Sequence, residues 1–311
     1  MVTNPITEDA TKSTTTGSND FDLFVGCTIQ NRIPFLEKSA RFVFEKLGIN
    51  LYDNGEFGCC PDPVGVQSTS HDTWLTLGAR NLALAEENHR NIVSLCNGCS
   101  ETLKAVNHEL KEHPEEKKLI QSRLDEIGKT FKGSIEVKHF IELLHEQVGI
   151  PAIHALVIKP LTGLKIAIHP GCHYSRPHEL VQTDDPMEPI FPKEILTALG
   201  ATVLEYQEEN MCCGSGVARN NPEAADGMLK RKYISIQDAE ADIIAAICPS
   251  CFQQLEVGQK NMKKAYDLEV KIPVMYVTEL MAIAFGGNVN DFGFKFHQIK
   301  PLALLKEFGF E

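Results

Sequence analysis

Short apolar runs alternate along this chain with longer stretches whose apolar positions return every three or four residues. The clearest runs are Phe21-Asp-Leu-Phe-Val-Gly26, Asn91-Ile-Val-Ser-Leu95, Lys165-Ile-Ala-Ile-His-Pro-Gly171 and Ile243-Ile-Ala-Ala-Ile247. Runs of this kind, bounded by turn residues, read as buried strands of a parallel sheet. Weaker runs at 49–53, 135–138, 202–206 and 271–276 complete the predicted strands. Helical patterns cover 34–47, 72–90, 98–112, 139–148, 192–199, 222–240, 250–265 and 277–285. The first opens with Pro34 and stops at Gly48, the usual asymmetry of helix ends. Trp74, the lone tryptophan, is a predicted core residue, and the acidic stretch 109–126 a solvated face. Each half therefore reads β-α-β-α-β-α-β, an α/β unit with a mainly parallel sheet flanked by helices.

The chain has 311 residues, 43% apolar and 23% charged, which suits one large or two medium globular domains. A net charge of −12 argues against a nucleic-acid partner, whose phosphates need a basic face. No apolar run approaches the ~20 residues of a membrane helix. Residues 1–20, rich in Thr, Ser, Asn and Asp, have neither the basic start nor the apolar stretch of a signal peptide. They are expected to form a flexible tail on a cytoplasmic protein. The expected divisions are this tail, domains at 21–163 and 164–287, and a docking segment at 288–311.

Ten cysteines change the picture. Cys27 is followed by the adjacent pair Cys59-Cys60 and by Cys96-x-x-Cys99. The same order returns as Cys172, Cys212-Cys213 and Cys248-x-x-Cys251. The offset is 145 at the first cysteine (172 minus 27) and 152 or 153 at the other four, so the domain is duplicated. Disulfides rarely persist in the cytosol. Each set falls at carboxyl ends of strands, where open α/β sheets place ligands. Soft thiolates select zinc, copper(I) or iron–sulfur clusters. A structural zinc site and a common cubane cluster each need four ligands, so five leaves one over in each half. One zinc per half, and plain buried cysteines, remain as alternatives; core thiols with no ligand have no reason to repeat in register.

The doubled pattern C-x31–39-CC-x33–35-C-x-x-C, over residues 21–311, resembles the doubled CCG cysteine-rich domain of the heterodisulfide reductase B-subunit family. Gly58-Cys-Cys-Pro61, His169-Pro-Gly-Cys-His173, Cys212-Cys-Gly-Ser-Gly216, Phe292-Gly-Phe-Lys-Phe-His297 and Pro301-Leu-Ala-Leu-Leu305 carry the likeness. The resemblance implies two noncubane 4Fe-4S clusters. Cys27, Cys59, Cys60, Cys96 and Cys99 would hold one; Cys172, Cys212, Cys213, Cys248 and Cys251 the other. It also implies reduction of the mixed disulfide of coenzyme M and coenzyme B to two thiols, with the substrate between the clusters.

That chemistry needs single electrons delivered to both sulfurs, and protons to release the thiols. His169 and His173 flank Cys172 and are candidate proton donors, or hydrogen-bond donors to cluster sulfur. Both coenzymes are anionic, so Arg176, Arg219, Lys230 and Arg231 are candidate substrate-binding cations. Lys230-Arg231-Lys232 spreads over several helix faces, as solvated charge does. Gly214 and Gly216 are expected to allow close backbone approach to the cluster, and Gly58 and Gly171 to do the same or serve turns. Pro61, Pro170 and Pro249 are expected to fix the loops beside their cysteines.

No GxGxxG follows a strand, and there is no ferredoxin-type cysteine run, so electrons must arrive from partners. The resemblance implies a small iron–sulfur subunit with cubane clusters, a flavin-containing subunit, and a hydrogenase or formate dehydrogenase module, in an electron-bifurcating complex. The rival functions are an electron-transfer subunit of a lactate, glycolate or succinate oxidation complex, with one set holding zinc or vestigial, and a structural zinc scaffold.

Overall fold

A computed structural model describes residues 18–310. The expected tail lies outside the described residues as far as residue 17; Asp20 already opens the first strand.

The first half contains β1 (Asp20–Phe24), α1 (Cys27–Arg32), α2 (Phe35–Lys46), β2 (Asn50–Asp53), α3 (Gly65–Thr69), α4 (His71–Glu87), β3 (Asn91–Ser94), α5 (Asn97–Glu112), α6 (Pro114–Asp125) and β4 (Val137–His139). A short α7 (Phe140–Glu142), a π-helix (Leu143–Val148) and α8 (Ile150–Ala155) lead out of it. The second half contains β5 (Lys165–His169), α9 (His178–Val181), α10 (Phe191–Ala198), β6 (Thr202–Leu204), α11 (Pro222–Asp238), β7 (Ile243–Ala246), α12 (Pro249–Tyr266), β8 (Val274–Tyr276) and α13 (Val277–Ala284), with α14 (Leu302–Glu307) after it.

Each half is a four-stranded sheet, in the orders β2-β1-β3-β4 and β6-β5-β7-β8, with every pairing parallel. Strands β3 and β7 are apolar because helices cover both sheet faces. Helix starts follow local chemistry. Ser70 accepts from the Thr73 N–H at α4, and Asn221 caps α11 ahead of Pro222. The acidic stretch 109–126 is not one helix: it breaks at His113, where Pro114 starts α6. The π-helix replaces the second half of the helix expected over 139–148.

The halves repeat one backbone with opposite side-chain choices. In α4, a Cβ on Gly78 would lie 2.7 Å from Val106 of α5; in α12, a Cβ on Gly258 would lie 2.5 Å from Leu229 of α11. The small residue has changed helix, while close packing is kept. The halves also share a core. The Ser39 and Thr278 hydroxyls lie 2.8 Å apart where α2 meets α13. The buried Tyr276 hydroxyl contacts the carbonyls of both Leu95 and Ile247 (2.8 Å to the latter).

Residues 288–310 pack onto this body. Phe292, Phe294, Leu305 and Phe310 are buried, and Phe292 meets Phe42 edge-on at 5.3 Å. Phe296, 63% exposed, is the large apolar side chain this segment leaves in solvent. The imidazole of buried His297 lies 3.0 Å from Glu279 and 3.5 Å from Glu256, clamping the segment to α12 and α13. No described helix is long and apolar enough to cross a membrane.

Candidate metal centre

All ten cysteines are free thiols. Each set gathers where three strands end. In the first half, β1 runs into Cys27, which opens α1; β2 leads to Cys59-Cys60; β3 runs into Cys96, which caps α5. In the second, β5, β6 and β7 lead to Cys172, Cys212-Cys213 and Cys248, the last capping α12. Cys99 and Cys251 fall in the first turns of α5 and α12, where the neighbouring cysteines, and then burial, push both thiols up.

The thiols are close-set. Cys213 and Cys251 Sγ are 3.4 Å apart, and Cys172 and Cys212 Sγ 3.8 Å. Across the pseudo-twofold axis, Cys96 and Cys248 Sγ are 4.0 Å apart, so the two sets adjoin. Gly26 and Gly171 occupy matching places, with φ of 78° and 79°. A Cβ on Gly26 would lie 3.0 Å from Cys99 Sγ, and one on Gly171 3.3 Å from Cys251 Sγ and 2.6 Å from Asn97. Asn97 itself donates to the Pro170 carbonyl at 2.7 Å, tying the CxxC helix of one half to the cysteine loop of the other.

Crowding makes each set titrate as a unit. Neighbouring S–H groups hold Cys60 and Cys212 low, Cys212 at about 2, while Cys59 and Cys172 are pushed up. Cys27 and Cys59 are exposed at a cavity of about 380 Å³ that Gly26, Asp53, Asn54 and Phe57 also line. Close soft donors, glycines that keep the space beside them clear, and a cavity at two of the thiols fit an iron–sulfur cofactor.

The histidines part company. His169 ends β5, is buried, and has no partner for either ring nitrogen among the described residues. It offers a nitrogen within 4.8 Å of the Cys213 and Cys251 sulfurs. Burial pushes it down to about 3, so it is neutral and suited to an N–H···S bond. His173 reaches solvent, and its Nδ1 lies 3.8 Å from Glu101 Oε2 of the other half. Burial, and then the charge at Cys60, push Glu101 up to about 7.

The predicted cations are scattered. Arg176, half-buried, donates to the carbonyl of Asn210, two residues before Cys212, with its Nε free among the described residues. Arg219 is exposed. Lys230 lies over the Tyr266 ring and Arg231 is bonded to Glu208. Of the glycines after the second pair, Gly214 brings its backbone N–H to Cys212 Sγ at 3.3 Å, the close approach expected of it. Its missing side chain (φ 81°) also makes room for Ala225 of α11, while the open face of Gly216 lies against Val64 of the first half. Gly58 donates its N–H to Asn81.

The residues missed from sequence are Glu101, Asn97 and Lys232. Lys232 is fully buried and donates to the carbonyls of Glu208 and Glu209 (3.1 Å to the latter). Its signal is the spacing Ala225, Leu229, Lys232, Ile236, one inward helix face.

The cysteine-rich domain family (CCG) matches residues 21–104 and 166–256, the stretches that carry the ten thiols. The chain is 35% identical to the B subunit of the ferredoxin/F420H2-dependent CoB–CoM heterodisulfide reductase from Methanosarcina acetivorans, over 91% of this chain and 95% of that one. It belongs to the B-subunit family of heterodisulfide reductases. That family is one of disulfide oxidoreductases. A further relative, at 27% identity over 92% of this chain and 99% of its own length, is the 8-methylmenaquinol:fumarate reductase membrane anchor subunit of Wolinella succinogenes. The fold also matches a hypothetical protein from Helicobacter pylori, with TM-score 0.73 and 18% identity over 91% of this chain and 52% of that one.

Proposed function

We propose that this chain is the catalytic subunit of a heterodisulfide reductase. It would reduce the coenzyme M–coenzyme B mixed disulfide to two thiols at two noncubane 4Fe-4S clusters, each held by one five-cysteine set. The observation that carries this reading is the meeting of the two sets across the pseudo-twofold axis, 4.0 Å apart at Cys96 and Cys248. When bound, such clusters supply single electrons and Lewis-acidic iron. The chain's own residues do the rest. The five thiolates of each set would hold the metal, and His169, whose ring nitrogens have no partner among the described residues, would donate to sulfur. His173, backed by Glu101, is the proton carrier that solvent reaches. Arg176 is the best-placed cation for an anionic coenzyme, with a planar fork suited to sulfonate or phosphate.

Electrons would come from a small iron–sulfur subunit carrying cubane clusters, then a flavin subunit linked to a hydrogenase or formate dehydrogenase module, in the cytoplasm. Iron, zinc and acid-labile sulfide analysis of anaerobically purified protein tests the cofactor. Equal iron and sulfide without zinc is expected; two zincs without sulfide would make it a scaffold. Reduced viologen should then be oxidised by the mixed disulfide and not by either homodisulfide. The fumarate reductase relative favours a second reading, an electron-transfer subunit, which predicts iron and sulfide but no viologen oxidation by any disulfide.

A further inference from the structure

The two cysteine sets match in their places at strand ends and helix starts but not in the charge around them. The exchanged pair Gly78 and Leu229 sets an α4-to-α11 offset of 151 (229 minus 78), which aligns Asn81 with Lys232. The Cys-Cys loops, offset by 153, align Asp62 with Ser215; the CxxC helices, offset by 152, align Glu101 with Gln253. Arg80 and Arg231 align with each other, so their charges cancel in the comparison. At these three positions the second half is the more positive; the reverse pair on the CxxC helices, Lys104 and Glu256, has each charge partnered, by Glu142 and His297.

The three positions sit on the elements that carry the thiols: Asp62 two residues after Cys60, Glu101 two after Cys99, and Lys232 on α11, which packs on the Cys251 helix α12 and whose ammonium is bonded to the carbonyls three and four residues before Cys212. Asp62 and Glu101 act on Cys60, and Lys232 acts on Cys213 and Cys251. Lys232 is the main element of the contrast. It is fully buried, its ammonium is held by two backbone carbonyls, and it has no carboxylate partner among the described residues. The nearby Glu209 is paired with Lys193 at 2.9 Å, and Glu208 with Arg231 at 2.5 Å. Asp62 is exposed and screened by solvent. A buried cation beside a redox group stabilises its reduced, more negative form, and low dielectric strengthens the effect.

We propose that the second cysteine set, through Lys232, holds its cofactor at the higher reduction potential, so that the first electron entering the chain comes to rest there. This rests on the iron–sulfur reading above. The step is a one-electron reduction of the second cofactor by the partner donor which that reading already requires.

The test is a potentiometric titration of the anaerobically purified holoprotein, followed by electron paramagnetic resonance. Two midpoint potentials are expected, and Cys213→Ser should abolish the higher. Lys232→Gln should lower the higher potential by about a tenfold change in electron partition, about 59 mV for a one-electron couple, and leave the other unmoved. Lys232→Arg should keep it in place. Should Lys232→Gln fail to fold, Ser215→Asp in the partly exposed loop is expected to lower the same potential by less, and Asp62→Ser to raise the other. The proposal is overturned if the higher potential survives Cys213→Ser, if a folded Lys232→Gln leaves it unmoved, or, where that variant does not fold, if Ser215→Asp leaves it unmoved. A protein without iron sinks both this proposal and the functional reading. Two iron-based potentials in the reverse order sink only this one.

Discussion

Adding a single methyl group at Gly26 tests whether the strand-end glycines exist to clear space for the cofactor. Gly26 has φ 78° and ψ 158°, a region open essentially to glycine alone, so alanine costs about 1–3 kcal/mol of backbone strain. Its Cβ would also stand 3.0 Å from Cys99 Sγ, closer than van der Waals contact allows, and 3.9 Å from the Cβ of Cys96. Both neighbours belong to the first cysteine set and are fixed at the start of α5, so neither can yield without moving a ligand. Gly48→Ala is the control. Gly48 has φ 71° but no atom within 4 Å of its would-be Cβ. It carries a left-handed penalty of about 1–2 kcal/mol and nothing else. Both variants should lower the melting temperature. Gly26→Ala alone should lose about half of the iron and sulfide, and one of the two redox signals. Gly171→Ala should lose the complementary half, through Cys251 and Asn97. If Gly26→Ala keeps its full iron, or if Gly48→Ala loses as much, the glycine serves the turn and not the thiol.

Two further outcomes follow from groups that join the halves or clamp the tail. Tyr276→Phe removes the hydroxyl shared by the Leu95 and Ile247 carbonyls, and should cost about 1–3 kcal/mol in denaturant unfolding; a cost below about 0.5 kcal/mol would mean water or the backbone replaces it. The Glu256 carboxyl is raised to about 7, first by burial, and burial, which alone would lower His297, is outweighed there by Glu279 and Glu256. Both groups bind protons more tightly folded than unfolded, so their stabilisation falls as pH rises from about 4.5 through 7 and beyond. The stability of wild type minus that of Glu256→Gln should therefore decline across that window, and a flat difference would refute the coupling. The whole-protein curve will not read this cleanly, because His139 and His169, both pushed down to about 3 by burial, act with the opposite sign below pH 6.5.

The strands and the cysteine framework are legible in the sequence because each is a local signal: an apolar run, a CxxC, an adjacent pair. The same repeat implies that both sheets share one strand order, but which order it is comes from the structure. What sequence does not show is the meeting of distant segments. Glu101 sits within a helix of mixed charge, and only the fold brings His173 to it. His297 reads as part of a tail motif, but it closes a buried cluster with Glu256 and Glu279. Lys232 lies inside a Lys-Arg-Lys run whose charge suggests solvent, against the spacing that places it inward. Helix α1 is hidden because Cys-Thr-Ile-Gln-Asn-Arg carries one buried apolar residue and no periodic face. In the first three cases a polar residue is interior because another segment meets its needs, and composition is blind to that.

The exchanged contacts between α4 and α5 and between α11 and α12 explain how the halves could diverge in charge while keeping thiol geometry. Each CxxC helix must lie against the helix that follows the cysteine pair, at a separation that leaves no room for two large side chains. The first half meets this with Gly78 under Val106, and the second with Leu229 over Gly258. If separation is the constraint, Gly258→Ala should cost about 1–3 kcal/mol by overpacking, offset by up to about 1 kcal/mol of helix propensity. Leu229→Ala should cost about 2–5 kcal/mol through its cavity. The double variant should be more stable than the sum of the two, by about 0.5–3 kcal/mol, because the new methyl enters the space the leucine leaves. The same change should keep iron in the second set, where Gly258→Ala alone would displace α12 and with it Cys251. Strict additivity, with no recovery of iron, would mean that the helices tolerate a range of separations and that the matched thiol geometry is maintained by the loops instead.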